Sequence, residues 1–155
     1  MSISETRSIV VDGDACPVKK EIAETARQHG LPVLLVSSFD HRQEPGEGIT
    51  VIQVDRSDQS ADLYIANHIC RGDVVVTQDY GLAALALSKS CYVISFRGRT
   101  YSDQDIDFLL DTRYQKAKAR KSGHYGKGPR RLTEEDRKIF QHKLTKLLKA
   151  LQENV

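Results

Sequence analysis

A chain of 155 residues, 39% hydrophobic and 28% charged, is long enough to close one core without disulfides and too apolar for wholesale disorder. No apolar run approaches the roughly 20 residues that cross a bilayer. Residues 1–7 are polar, without the apolar stretch of a signal peptide, so the expected location is cytoplasmic. The net charge of +2 conceals an asymmetry: residues 1–112 carry 10 Lys and Arg against 17 Asp and Glu, and residues 113–155 carry 13 against 4. An acidic body with a basic end points to an anionic partner, with nucleic acid the first candidate.

In chain order, residues 8–12 form a β-branched run ending in Asp12 and followed by Gly13, and they read as a buried strand leaving a sheet. Pro17 fits the first turn of a helix, in which Val18, Ile22 and Ala26 keep helical spacing until Gly30. Apolar strands are predicted over 32–36 and 49–54, with the polar stretch 37–48 between them as a loop. Ala61, Ile65 and Ile69 predict a helix over 57–70. Residues 73–77 make the clearest strand, 81–88 a small apolar helix and 91–96 a fifth strand. Strands alternating with helices predict a three-layer α/β/α architecture with a central, mainly parallel five-stranded sheet.

Beyond Arg97 a helix is expected over 103–120, then a glycine-rich linker or binding loop over 122–129. A final helix is capped by Thr133, carries acids in its first turn, and has Phe140, Leu144, Leu147, Leu148 and Leu151 as its apolar stripe. The chain reads as one domain, 1–155, in which 113–155 form a basic C-terminal helical extension. Cys16, Cys70 and Cys91 are odd in number and widely spaced, which fits reduced thiols rather than a disulfide framework or a zinc site.

Ligands of parallel α/β sheets bind outside the carboxyl ends of the strands, where strand order reverses. Asp12 ends the first strand, Asp14 follows two residues on, and Asp79 lies two residues past the fourth strand. Asp62, early in the preceding helix, can lean over the same edge. Carboxylates gathered this closely need protons or a cation between them. An all-oxygen set with no suitably spaced histidine or thiol suits Mg2+ or Mn2+ rather than zinc. Such an ion polarises a phosphoryl oxygen and acidifies a bound water, which is the chemistry of phosphodiester hydrolysis.

Asp14 and Asp79 also have a plainer role open to them, as caps of the helices that follow. Thr77 and Gln78 flank the exit of the fourth strand and are candidates for positioning a phosphate or a water. Cys16 precedes a helix, where the dipole can activate a thiol. No histidine is placed as its base and the neighbouring acids oppose ionisation, so a packing role fits it better.

Arg97 and Arg99 flank Gly98 near the same edge and suit bidentate contact with phosphate. Lys116, Lys118, Arg120, Lys121, Lys127, Arg130 and Arg131, interleaved with Tyr114 and Tyr125, form an electrostatic footprint with stacking rings. A solvated basic helix is the alternative for that segment.

Asp12-Gly13-Asp14-Ala15-Cys16-Pro17, Ala61-Asp62, the run Gly72-Asp73-Val74-Val75-Val76-Thr77-Gln78-Asp79-Tyr80-Gly81-Leu82-Ala83, Arg97-Gly98 with Tyr101, and Gly128-Pro129 followed by Asp136-Arg137 and Phe140 span nearly the whole chain. In this order and spacing they resemble the YaiI/YqxD family of uncharacterised bacterial proteins. That family is similar to PIN-like nuclease domains. The resemblance therefore implies a PIN-like fold and RNA cleavage with Mg2+ or Mn2+ bound by Asp12, Asp14, Asp62 and Asp79. Gln59 stands where the family often shows an acid, three residues before Asp62, which leaves the number of ions open.

Three functions compete on this reading. The first is a Mg2+- or Mn2+-dependent ribonuclease, a hydrolase with Asp12 and Asp79 as principal ligands. The second is a haloacid dehalogenase-like phosphatase with Asp12 as nucleophile and Ser37 as its phosphate hydroxyl. The third is a nucleic-acid-binding module without catalysis.

Overall fold

Short runs of Val and Ile are suited to strands covered on both faces, and β1 (Ile9–Asp12) shows how they are used. The computed structural model describes residues 7–14, 16–38, 48–55, 60–121 and 131–153, apart from the side chains of Arg113, Lys116, Arg120 and Lys121. In β1 the side chains of Ile9 and Val11 enter one apolar cluster and that of Val10 enters another. β4 (Val74–Val76) divides its three valines the same way. The sheet therefore separates two cores, as a three-layer α/β/α arrangement requires.

The strands lie in the order β3-β2-β1-β4-β5-β6. β1, β2 (Val33–Ser38), β3 (Ile49–Val54), β4 and β5 (Tyr92–Ile94) are parallel, and β6 (Thr100–Tyr101) runs antiparallel to β5. The five expected strands are all present. The sixth has only two residues, too few for any periodicity to reveal, and is made by a turn in which Ser95 N donates to Arg99 O at 2.8 Å. From β1 the chain first builds outward through β2 and β3, then returns to the other side of β1 with β4. The reversal of order falls between β1 and β4, and this is where a crevice opens at the carboxyl edge.

One face carries α1 (Lys19–His29) and α5 (Glu134–Glu153), which pack on each other. Phe140, Leu144, Leu148 and Leu151 of α5 join Val18, Ile22 and Ala26 in the first cluster. The other face carries α2 (Ala61–His68) and α3 (Tyr80–Ser88), with Leu109 of α4 (Ile106–Lys121) completing the second cluster. Pro17 lies one residue before the cap rather than in the first turn: Val18 is the N-cap, and its carbonyl accepts from Ile22 N at 3.0 Å. α1 ends as expected at Gly30, whose φ of 67° is the left-handed conformation that glycine adopts without a Cβ penalty. No helix among the described residues is long and apolar enough to cross a membrane.

Candidate active site at the carboxyl edge of the sheet

The site begins with the way the chain leaves β1. Gly13 N donates to Val36 O at 2.7 Å, and a Cβ on Gly13 would lie 2.9 Å from that oxygen and from Leu35 Cδ1. Only glycine allows so close a passage along β2. Asp14 is thereby delivered to the end of β2, where its Oδ1 accepts from Ser38 N at 2.9 Å and from Ser38 Oγ at 3.3 Å. Asp14 ties two strand ends together and does not cap α1, whose cap carries no side-chain bond.

Asp12 and Thr77 stand side by side at the ends of β1 and β4. Thr77 Oγ1 donates to Asp12 Oδ2 at 3.2 Å and accepts from Asp79 N at 3.0 Å. The hydroxyl thus links the two strand ends. Asp79 does cap α3, with Oδ1 accepting from Leu82 N at 3.0 Å. It also lines the cleft, so the capping and site roles coexist on one residue. Gln78 lines the cleft too, while its Oε1 accepts from Phe96 N at 2.8 Å and so anchors the end of β5.

Asp12, Asp14, Gln78 and Asp79 share a cleft of about 530 Å³ with Pro17, Phe96, Arg97, Arg131, Leu132 and Arg137. Burial is the main cause that raises Asp12 to about 6, and the charges of Asp14, Asp79 and Asp62 push it further up against the opposing bond from Thr77. Asp62 does not line the cleft; its Oδ1 accepts from Ser60 Oγ. It acts on Asp12 through its field.

A raised carboxyl has a definite effect on stability. Between the ordinary value of 3.8 and about 6, the folded chain keeps a proton on Asp12 that the unfolded chain has released. Stability therefore falls as pH rises through that window and stays lowered above it. In metal-free buffer we expect Asp12→Asn to be more stable than the parent at neutral pH, by about 1–3 kcal/mol, with the gain vanishing below about pH 4. Denaturant unfolding at the two pH values measures this, and a neutral-pH loss would contradict it.

The basic residues divide. Arg97 and Arg131 line the cleft, and Arg97 Nη1 lies 3.4 Å from Asp136 Oδ2. Arg99 lies over the rings of Tyr101 and Phe108, at 5.1 and 5.8 Å from their centroids, and is not part of the lining. Lys118 and Tyr114 are exposed on α4. The side chains of Lys116, Arg120 and Lys121, together with Tyr125, Lys127, Arg130, Gln59 and most of 37–48, lie outside the described residues.

Two expectations from residue type resolve plainly. Burial pushes the Cys16 thiol up to about 11, so it is a packing thiol and no nucleophile at neutral pH. Ser37 is fully buried and does not line the cleft, which deprives the phosphatase alternative of its phosphate hydroxyl.

Residue type and spacing do not single out Arg137, although Asp136-Arg137 is among the motifs that resemble the family. The signal available was an arginine in the first turn of a helix that otherwise favours acids there. Asp136 completes a capping box, with Thr133 N donating to Asp136 Oδ2 at 2.9 Å and Asp136 N donating to Thr133 Oγ1 at 3.1 Å.

Residues 10–150 match the profile of the family described as "Uncharacterized BCR, YaiI/YqxD family". The chain belongs to the YaiI/YqxD family. A UPF0178 protein of Bacillus velezensis is 48% identical to this YaiI/YqxD chain over 143 residues, covering 92% of it and 85% of the relative. Another from Listeria welshimeri is 44% identical over 140 residues, covering 90% and 94%. Among solved structures, Rae1 (YacP) from Bacillus subtilis aligns over 92% of this chain and 98% of its own, with 19% identity and a TM-score of 0.43. A likeness of that degree says nothing about activity.

Proposed function

We propose that this YaiI/YqxD protein is a metal-dependent nuclease that hydrolyses RNA phosphodiester bonds at the Asp12, Asp14 and Asp79 cleft. The observation that carries the reading is the meeting of carboxylates from the ends of β1 and β4 in one cleft that arginines also line. It is also the chemistry that the PIN-like resemblance of the motifs implies.

The donor set fits Mg2+ or Mn2+, since it offers carboxylate oxygens and no soft ligand. Among the described residues no three His, Cys, Asp or Glu side chains form a ready-made cage. Mg2+ does not require one, because one or two carboxylates, waters and substrate phosphates commonly complete its shell. Asp12 and Asp79 would be the principal ligands, with Asp14 orienting a water or holding a second ion, while Asp62, outside the lining, would add only its negative field. When bound, the ion supplies Lewis-acid polarisation of a phosphoryl oxygen and a more acidic water.

The chain's own groups account for the remainder. Thr77 fixes Asp12 and the backbone of Asp79 through one hydroxyl, so both carboxylates start from a set position. Gln78 lines the cleft with its Oε1 engaged by Phe96 N, and its amide nitrogen would orient a phosphate or a water. Arg97 and Arg131, which line the cleft, would face the substrate backbone, and the charge that the sequence carries at Arg99, Lys116, Lys118, Arg120, Lys121, Lys127 and Arg130 would hold RNA without reading its sequence. The test is incubation of the purified chain with unpaired and structured RNAs. Cleavage with Mn2+ or Mg2+ that a chelator abolishes is the expected result; intact RNA under every condition overturns the reading.

A further inference from the structure

We propose that Arg137 is a phosphate-binding residue of this cleft, and that Glu21 behind it sets how strongly the guanidinium engages the anion. The inference deepens the nuclease reading and rests on it for the identity of the anion as a phosphodiester. A phosphate entering this cleft meets three carboxylates, so a cationic group must stand close by, and the lining supplies arginines.

Arg97 is held at hydrogen-bond distance by Asp136, at 3.4 Å. Arg137 is held differently. Its Nη1 donates to the Pro17 carbonyl, three residues past Asp14, and stands 3.7 Å from Glu21 Oε1. That oxygen is buried and, among the described residues, accepts no hydrogen bond. Among the described residues, the contacts of Arg137 with Pro17 and Glu21 fall on one nitrogen of a planar fork that carries five N–H donors. The side chain keeps 32% of its surface exposed, so the fork is within reach of a ligand. The tether to Pro17 fixes the group relative to Asp12 and Asp14, and the fork matches two phosphate oxygens where a lysine would offer a single point charge.

Glu21 gives the proposal a signature that a structural arginine would lack. At 3.7 Å, without a hydrogen bond, it offsets the positive charge of Arg137 without fixing its orientation. Replacing it with an uncharged isostere removes the offset and leaves the Pro17 tether in place.

The experiment is fluorescence anisotropy of a labelled oligouridylate with the full chain, in buffer with chelator and in buffer with Mg2+. The proteins are the parent, Arg137→Gln, Arg137→Lys and Glu21→Gln, each checked for a cooperative unfolding transition. We expect Arg137→Gln to weaken binding by about tenfold or more, and Arg137→Lys to recover part of the loss. Glu21→Gln should tighten binding by about two- to fivefold.

Should Arg137→Gln fail to fold, Glu21→Gln and Arg137→Lys carry the test. Equal affinity across the set, weaker binding in Glu21→Gln, or no binding by the parent in either buffer overturns the assignment. Binding that follows the predicted order without cleavage removes the nuclease reading and keeps Arg137; cleavage with affinities indifferent to these substitutions does the reverse.

Discussion

Asp12→Asn and Asp79→Asn should each lower Mn2+-dependent RNA cleavage by at least about 100-fold while leaving a folded chain. Both substitutions remove a charge and keep the shape. Asparagine at 12 retains an oxygen to accept from Thr77 Oγ1, and asparagine at 79 is as good a helix cap as the aspartate whose Oδ1 now binds Leu82 N. For Asp12 the two effects have opposite signs, because the charge that serves the ion is also the charge that burial and three like-charged neighbours make costly. A variant that gains stability at neutral pH and loses cleavage identifies a functional carboxylate rather than a structural one. Cleavage at the parental rate by both variants would end the proposal.

Phe140→Ala should cost about 3–5 kcal/mol, the largest stability loss expected from one side chain here. Phe140 is fully buried among residues of β1, β4 and α1, and a cavity there cannot be refilled by an exposed neighbour. With a domain stability of about 5–15 kcal/mol, the loss is a large share of the whole. The same residue supports the site. A Cβ on Gly98 would lie 3.4 Å from Phe140 Cα and 3.0 Å from Lys143 Cγ, so the turn that carries Arg97 rests directly on α5. Denaturant unfolding gives the value; a loss under about 1 kcal/mol would mean that α5 is peripheral. Deleting 113–155 takes Phe140, Leu144, Leu148 and Leu151 out of the core and is therefore no clean test of the basic segment.

The strands and helices were legible because their signals are local. Runs such as Val74 to Val76 have few other uses, and Val18, Ile22 and Ala26 mark a helix face by spacing alone. The meeting of Asp12 and Asp79 was legible for a different reason: the carboxyl edge at a reversal of strand order is where such sheets bind ligands, and both residues sit just past strands. What could not be read depends on contacts between distant segments. Asp14 offers the same carboxylate to a cap or to a strand end, and Ser38, its partner in this fold, lies 24 residues away. Arg137 enters the cleft because α5 returns across α1 to reach Pro17, 120 residues earlier. Asp62 shows the converse, since its position early in α2 suggested a lining residue and the fold leaves it acting on Asp12 from a distance.

Calorimetric titration of Mn2+ into the metal-free chain, repeated with Asp12→Asn, tests most directly whether these carboxylates serve one ion. Saturable binding by the parent that is lost or weakened by about 10- to 100-fold in the variant is the predicted result. Identical heats for both proteins would contradict it.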